Sequence, residues 1–451
     1  MGVGRATATG LHLLRRGGTA LPGLLALRVD PRLAAGLGRQ LGGGRAVITG
    51  TNGKTTTARM LAAMLEAEGR PVLQNREGSN LMRGIAGSLL ARSSPGGRIR
   101  GARSTTGIFE CDEATTPQAA ADLAPDVMAV TNLFRDQLDR YGEVDTVAGF
   151  WRRAMEHSPP DMALVLNADD PSVAELGDGW SGPVHYTGID DPAHAYEGGS
   201  PGDARWCRAC GGNFAYSLTY FGHVGHWRCT GCGRARPAPD TRATDLRMDL
   251  DGTRFHVDGL GEISMPLTGL YNVWNALAAI GSARVLGISA DAIRQGLAAV
   301  RPAFGRQETV ALGDLQLRLL LAKNPAGANQ VVRLLAALDR PLQVAVLLND
   351  RFADGQDVSW TWDVDYELLA GRIERCWVGG DRAEDMALRL KYAGWPAPSA
   401  AVHEPAALCD AIEAGAAPGD DVFVLPTYSA LLDFRAEIVR RGGAKAFWSD
   451  E

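Results

Sequence analysis

Residues 46–60 read AVITGTNGKTTTARM, and the fold turns on them. Ala46, Val47 and Ile48 are an apolar run of strand length. A turn rich in glycine and threonine follows, and from Thr56 onward the pattern is helical. Strand, glycine turn and helix N-terminus together make an anion site. The N–H groups of a first helical turn lack helical partners, and the helix dipole adds about half a positive charge there. Gly50 and Gly53 let the backbone come close to a phosphate, with Thr51 and Asn52 between them. Lys54 supplies a point charge for the outer phosphates, and Thr55 or Thr56 offers a hydroxyl to Mg²⁺. Longer phosphate loops place a glycine five residues before Gly53; here Ile48 stands there, so this loop is a shorter kind. A capped helix with an exposed lysine is the plain alternative. The order Gly-Lys-Thr-Thr, set directly between strand and helix, favours nucleotide binding.

Outward from this stretch the pattern alternates. Strand-like runs at Ala46–Thr49, Gly107–Cys111, Val127–Thr131 and Met162–Asn167 are separated by helical stretches such as Thr56–Glu68 and Thr146–His157. That is the grammar of a parallel, helix-covered sheet. Residues 196–240 interrupt it with glycine, cysteine and aromatics. Strands return at Phe255–Val257 and Ile263–Pro266, then a helix through Asn272–Leu286. After VRPAFGRQE (300–308) a second alternation begins, with strands expected at Leu315–Leu321, Leu342–Leu348, Arg375–Val378 and Asp421–Leu425. The chain of 451 residues is too long for one ordinary core. We therefore expect a basic helical segment over 1–45, a nucleotide-binding domain over 46–300 with an insertion near 196–240, and a second α/β domain over 301–451.

With 45% hydrophobic and 22% charged residues the composition is that of a soluble globular protein. The net charge of −6 gives no reason to expect nucleic acid as a partner. No apolar run approaches the roughly 18 residues of a membrane span. The first 45 residues differ: Arg5, Arg15, Arg16, Arg28, Arg32, Arg39 and Arg45 face the single acid Asp30. Charge and glycine break every apolar run there, which speaks against a signal peptide. One reading is two short helices packed on the next domain; the other is a basic face near an anionic membrane surface. A cytoplasmic location is expected, with at most peripheral contact at the inner membrane face.

A nucleotide-bound metal needs carboxylates, and strand ends of an open parallel sheet face the ligand crevice. IFECDEA puts Glu110 at such an end, followed by Asp112 and Glu113, and Glu110 is the first choice for Mg²⁺. Asn132, Asp136 and Asp139 follow the next strand; Asn167, Asp169 and Asp170 follow another. These repeated strand-end groups point to the same crevice.

Cys207-Arg-Ala-Cys210 and Cys229-Thr-Gly-Cys232 are two CxxC knuckles with 18 residues between them. Such spacing brings four thiolates around one tetrahedral Zn²⁺. With every coordination position filled the zinc is structural, and a ribbon this small needs its metal to fold. A disulfide pair is the alternative, disfavoured in a reducing compartment. Cys111, Cys376 and Cys409 lie apart in apolar sequence and read as buried thiols.

TGTNGKTTT, VTNLFRDQLDRYG, LNADDP and GLYNVWNALAA, taken in order, resemble the Mur ligase superfamily, which joins carboxylates to amines through an acyl phosphate. The resemblance implies a P-loop-type ATP-binding domain with a parallel sheet, here carrying an inserted four-cysteine zinc ribbon, and a Rossmann-like carboxy-terminal α/β domain. It implies ATP on Gly50–Thr56, Mg²⁺ on Thr55 and Glu110, Asn272 and Asn275 near the adenine, and Arg306 of FGRQE near the phosphates. Lys54 and Glu110 are then catalytic. Departures narrow the branch. No amino-terminal sugar-nucleotide domain is visible, Gln137 replaces a metal-binding histidine, and LLAKNPAG (320–327) replaces the superfamily's DYAHNP. The lysine that many members carbamylate has no clear counterpart. QNREGSNLMRG (74–84), the four cysteines and LNDRFADGQDVSWTWDVDYE (348–367) resemble the MurT branch, the ligase-like subunits of lipid II isoglutaminyl synthase.

That branch resolves a gap in the chemistry. Amidation of a carboxylate needs ATP to activate it and ammonia to attack it. Glutamine hydrolysis uses an activated cysteine with a histidine base, and no cysteine here sits in a glycine-framed nucleophile turn. The resemblance implies a separate GatD-type glutaminase as partner in a heterodimer, and lipid II as substrate. An aspartate of the carboxy-terminal domain would complete the partner's triad by orienting its histidine. DGQDVSW points to Asp357, with Asp354 second, and Trp360 and Trp362 suit an interface. The expected reaction turns D-glutamate of the lipid II stem into D-isoglutamine. A stand-alone amino-acid ligase of the muramyl or folylpolyglutamate type is the second reading, and a non-catalytic nucleotide-binding scaffold the third. More weakly, Asn324, Arg382, Asp385, Thr427 and Tyr428 are candidates to line the active-site cleft.

Overall fold

The computed structural model describes residues 20–75, 79–134, 144–195, 204–249, 252–301, 306–417 and 419–444. They fall into two units that part after Arg301.

The first unit is built on β1 (Arg45–Thr49), β2 (Val72–Gln74), β3 (Thr106–Glu110), β4 (Val127–Val130), β5 (Ala163–Asn167) and β6 (Val184–Ile189). After these come β7 (Phe214–Phe221), β8 (Val224–Cys229), β9 (Thr241–Met248), β10 (Thr253–Val257) and β11 (Gly261–Met265). Nine of them form one sheet in the order β11-β10-β9-β6-β5-β4-β1-β3-β2. From β2 to β9 every pairing is parallel; β9, β10 and β11 close the edge antiparallel. The central strands VIT, GIF, VMAV and LVLN are buried on both faces, as strands covered by helices must be. Val47, Phe109, Met128, Val130, Leu164 and Leu166 join one core with Trp151 of the Val144–Glu156 helix. Trp151 is fully buried, and its Nε1 donates to Thr49 Oγ1 at 3.1 Å, so that helix is pinned to β1.

The Ala20–Val29 and Leu33–Gly38 helices lie against the Met82–Arg92 helix. Gly23 makes the approach: a Cβ there would sit 1.8 Å from the Arg83 carbonyl oxygen. β7 and β8 form a separate antiparallel hairpin, inserted between β6 and β9.

The second unit holds β12 (Arg306–Leu312), β13 (Leu315–Leu320), β14 (Leu342–Leu347), β15 (Ile373–Gly379), β16 (Ala400–Val402) and β17 (Asp421–Pro426). Their order is β12-β13-β17-β14-β15-β16, with only the β12–β13 pair antiparallel. Leu317, Leu319, Ala345, Val422, Val424 and Phe434 centre its core.

The long apolar strands lie within a few residues of their expected places. Three kinds of strand lie outside the expected pattern. β2 and β16 are three-residue edges with too few residues for a periodicity. β12 carries Arg306, Gln307 and Glu308, and its pairing comes from β13 rather than from its own apolar content. β6 and β9 flank the insertion, and polar or charged residues such as His185, Arg242, Asp245 and Arg247 leave them little apolar alternation.

Candidate active site

β1 ends at Thr49, and the chain turns through Gly50 and Gly53 into the Lys54–Ala67 helix. Both glycines need their freedom: φ is +127° at Gly50 and +88° at Gly53. A Cβ on Gly50 would meet Thr131 Oγ1 at 2.2 Å, and one on Gly53 would meet Asn275 Oδ1 at 1.9 Å. The turn is held from the end of β4. Asn132 Oδ1 accepts from Asn52 N at 2.9 Å and its Nδ2 donates to Asn52 O at 3.0 Å. Thr131 Oγ1 donates to Asn52 O at 2.7 Å, and Thr51 Oγ1 accepts from Phe134 N at 3.0 Å. Thr51, Lys54, Thr55 and Thr56 are buried. The loop's shape is thus fixed by the protein's own hydrogen bonds to Asn52 and Thr51.

Lys54 Nζ donates to Gly50 O and Thr51 O, and pairs with Glu113 Oε1 at 2.9 Å. The spacing of ECDEA makes Glu110 the first choice of acid; the structure puts Glu113 on the lysine. Glu110 stands at the end of β3, in register with Ile48 of β1. Asn75 clasps its backbone on both sides, accepting from Glu110 N and donating to Glu110 O, each at 2.9 Å. Glu110, Asp112 and Glu113 are all buried. No simple sequence signal separates Glu110 from Glu113, because the chain leaves the strand between them.

Asn272 and Asn275 lie in the first turns of the Leu270–Val285 helix. Asn275 Nδ2 donates to Asn272 Oδ1 at 3.2 Å, and Asn272 Nδ2 to Thr268 O at 2.8 Å. With Asn275 against Gly53, the structure gathers Gly50–Thr56, Glu110, Glu113, Asn272 and Asn275 at the carboxyl ends of β1 and β3. Arg306 opens β12, but its side chain lies outside the described residues, as do Asp136, Gln137, Asp139 and residues 76–78 of the QNREGSN stretch.

The acids after β5 do something other than expected. Asp169 and Asp170 are fully buried. Asp169 accepts from Trp274 Nε1 at 2.7 Å, Ile189 N at 2.9 Å and Arg236 Nε at 2.6 Å. Asp170 caps the Pro171–Ala174 helix and accepts from Leu133 N at 2.8 Å. They build the wall of the crevice instead of facing it, since each oxygen is already committed.

The β7–β8 hairpin rests on the same place. Trp227 Nε1 donates to Ala168 O at 2.9 Å, and His223 Nε2 lies 3.4 Å from Asp170 Oδ1. At its far end the sulfurs of Cys207, Cys210, Cys229 and Cys232 lie within 4.8 Å of one another. Cys207 and Cys232 are 3.8 Å apart, Cys210 and Cys229 3.4 Å. A disulfide would need about 2.05 Å, while a tetrahedral zinc with bonds of about 2.3 Å sets its sulfurs roughly 3.8 Å apart. The donor set therefore fits zinc. The turn N–H groups of Gly212 and Gly231 point at Cys210 and Cys229 sulfurs, each at 3.4 Å. Chiefly the Cys232 N–H holds the Cys229 thiol down at about 6. Gly211 and Gly233 take the positive φ the knuckles require, +74° and +76°.

In the second unit the carboxyl ends of β14, β15 and β17 meet in a polar network. Asn349 N donates to Thr427 Oγ1 at 3.0 Å, its Nδ2 to Ser429 Oγ at 2.9 Å, and its Oδ1 accepts from Asp381 N at 2.8 Å. Asp354 is buried and accepts from Ser429 N at 2.8 Å and from Ser429 Oγ. Asp357, three residues on, is exposed; the Ser359 hydroxyl first, and then the Ser359 N–H that donates to it at 2.9 Å, lower its pKa. Trp362 is exposed beside Tyr392, ring centroids 5.7 Å apart, and Phe352 is 89% exposed. Asn324 caps the Pro325–Ala336 helix through Gly327 N, and Arg382 pairs with Asp350 and Asp385.

No helix among the described residues is long and apolar enough to cross a membrane. The model of the Mur ligase middle domain matches residues 48–203, and that of the MurT ligase C-terminal region matches residues 321–431. The chain is 35% identical over 447 residues to the lipid II isoglutaminyl synthase (glutamine-hydrolyzing) subunit MurT of Streptococcus pneumoniae R6, covering 97% of this chain and 96% of that one. It is 33% identical over 383 residues to the subunit of the same name in Staphylococcus aureus COL, covering 83% of each. Among solved structures, a pseudomurein peptide ligase type C from Methanothermus fervidus superposes with a TM-score of 0.66 at 21% identity, over 88% of this chain and 78% of that one. That likeness speaks to the fold.

Proposed function

The chain belongs to the Mur ligases, in their MurT branch, and from that premise we propose that it is the synthetase subunit of a glutamine-dependent amidotransferase acting on lipid II. Its reaction amidates the α-carboxylate of D-glutamate in the stem peptide to D-isoglutamine, consuming ATP. One observation carries the reading: a glycine-framed phosphate loop stands in a chain whose thiols outside the four-cysteine cluster are unfit to release ammonia. Outside the zinc cluster Cys111, Cys376 and Cys409 are buried. Burial pushes Cys376 and Cys409 up to about 12, and burial with the Glu110 and Asp112 charges pushes Cys111 well above the usual thiol range. A thiolate nucleophile needs the opposite environment.

The loop's residues divide the work of activation. Backbone N–H groups of Gly53 to Thr56 receive the phosphates at the helix N-terminus. Lys54 leaves Glu113 to follow the γ-phosphate, where positive charge stabilises transfer to the substrate carboxylate. Glu113 is then left to hold a water or the metal. Thr55, Glu110 and Glu113 offer the hard oxygen donors that Mg²⁺ prefers, and the metal would add charge neutralisation at the transferring group. Asn275, packed on Gly53, keeps the loop in its phosphate-receiving shape, and a role for it and Asn272 beside the adenine rests on the family resemblance. Zinc on the four cysteines is structural, since four sulfurs leave no open position.

Ammonia then comes from a glutaminase subunit of the GatD type. Asp357 is the residue proposed to complete that partner's triad. Exposed carboxylate, depressed pKa and neighbouring Trp362 support it, while Asp354 is spent on Ser429. Incubation with ATP, Mg²⁺, lipid II and concentrated ammonium, without a partner, is expected to give amidated lipid II. Product carrying a new amino acid, or nucleotide binding without turnover, would sink the reading. A glutaminase subunit should add glutamine-driven activity to the same preparation.

A further inference from the structure

We propose that the amino-terminal lobe of the first unit is a docking surface for an anionic lipid bilayer. Residues 20–45 and 92–104 carry eight arginines against the single acid Asp30. Three of the eight are engaged. Arg45 pairs with Asp126, Arg39 donates to the Ala121 and Asp122 carbonyls, and Arg92 donates to Val72 O. The side chains of Arg28, Arg32, Arg98, Arg100 and Arg103 are exposed and form no ion pair among the described residues. Elsewhere the protein pairs its arginines freely, as Arg208, Arg236, Arg351 and Arg441 show. Five unneutralised guanidinium groups in one lobe cost self-repulsion that a partner of opposite charge relieves.

The two segments that carry them are laced together into one lobe. Gln40 Nε2 donates to Gly97 O at 2.8 Å and its Oε1 accepts from Ile99 N at 3.0 Å; Gly42 N donates to Ala102 O at 2.8 Å. Ile99 is buried, which turns its neighbours Arg98 and Arg100 outward. A shallow basin of about 670 Å³, lined by Gln40, Arg98, Ile99 and Arg103, opens between the segments. Gly43 and Gly44 run straight into β1, and Thr105 into β3, so the lobe sits at the amino ends of these strands. The phosphate loop sits at their carboxyl ends. These arginines are therefore not part of the nucleotide site.

A bilayer fits better than a polynucleotide. Leu21 and Val29, 46% and 60% exposed, stand on the helix that carries Arg28. Exposed aliphatic groups among arginines, whose stems lie along apolar surface while their heads reach phosphates, are the mark of an interfacial face. The lobe offers no aromatic ring on which bases could stack. The rest of the chain carries the acid excess behind the net −6, so an anionic surface would attract this face and repel the others, fixing orientation.

The inference borrows from the proposed function only that the substrate's carrier lipid lies in a bilayer. The test uses vesicles free of lipid II, so the two readings fail separately. Full-length protein is floated with phosphatidylcholine vesicles, with or without phosphatidylglycerol. Binding to the anionic vesicles alone, released by added salt, is expected. R98Q/R100Q should weaken that binding on the order of 30-fold, while R247Q/R254Q, an equal charge change on exposed residues of β9 and β10, should leave it unchanged. ATP affinity should be the same in all three proteins, which reports intact folding. Indifference to anionic lipid, equal losses in the two double variants, or tighter binding to a DNA duplex than to vesicles would each overturn the proposal.

Discussion

Two loops invite comparison: the one after β1 in the first unit and the one after β14 in the second. Each leaves a central strand flanked by parallel neighbours, at the sheet end where open α/β folds hold their ligands. After β1, two glycines at positive φ bare the backbone, and Lys54 is the charge in reserve. After β14, the chain spends its polar groups on itself. Asn349 ties three strand ends together, Asp354 holds Ser429, and Arg351 grips Asp381 and Asp433 at 2.7 Å each. On the proposed reading one position serves as a receptor for phosphate and the other as a self-bonded base from which exposed Asp357 projects. Topology supplies the place; glycine or carboxylate decides what is done there.

The sharpest way to break that contrast is to disable each loop and read both activities. Lys54→Met should lower ammonia-driven and glutamine-driven amidation alike, on the order of 10⁴-fold, because both need the acyl phosphate. Asp357→Asn should cost the glutamine reaction roughly 10³–10⁴-fold and spare the ammonia reaction within about twofold. If Asp357→Asn lost both, the loop would belong to the synthetase chemistry and the contrast would collapse.

Smaller changes sharpen it. Gly53→Ala forces a Cβ onto Asn275 and holds a side chain at φ +88°. That strain of about 1–3 kcal/mol should weaken ATP binding by about tenfold to a hundredfold, measured by calorimetry. Asp354→Ala removes the acceptor at the start of the Tyr428–Arg440 helix. It should cost about 1 kcal/mol of stability and slow the glutamine reaction several-fold, with ATP affinity unmoved. Cys229→Ser should abolish stoichiometric zinc by atomic absorption and lower Tm by about 5 °C, with the smallest effect on either loop.

Much of this was legible because it is local. Gly50, Gly53 and Lys54 announce a phosphate loop by type and order alone, and the four cysteines announce a metal by spacing. What stayed hidden is non-local. Glu113 meets Lys54 only because β3 lies beside β1, and the sequence holds three acids in four positions there with nothing to rank them. Asp169 and Asp170 read as ligand groups because they end a strand. Their partners, Trp274 and Arg236, lie 105 and 67 residues away, beyond any pattern. Asp354 and Asp357 look alike in sequence; only Ser429, 75 residues on, tells them apart.

The cysteine-bearing hairpin sits in a telling place. β6 and β9 are parallel neighbours, with Thr187 opposite Thr241. Parallel neighbours cannot be joined by a tight turn; the chain must travel back the length of the sheet, and a helix usually makes that journey. Here the four-cysteine module stands in that connecting role. The sheet fixes only where the excursion leaves and where it returns, so its content is free to drift. A descendant could trade the metal for a helix, or lengthen the module, at a loop-closure cost of well under about 1 kcal/mol, without disturbing a strand on either side.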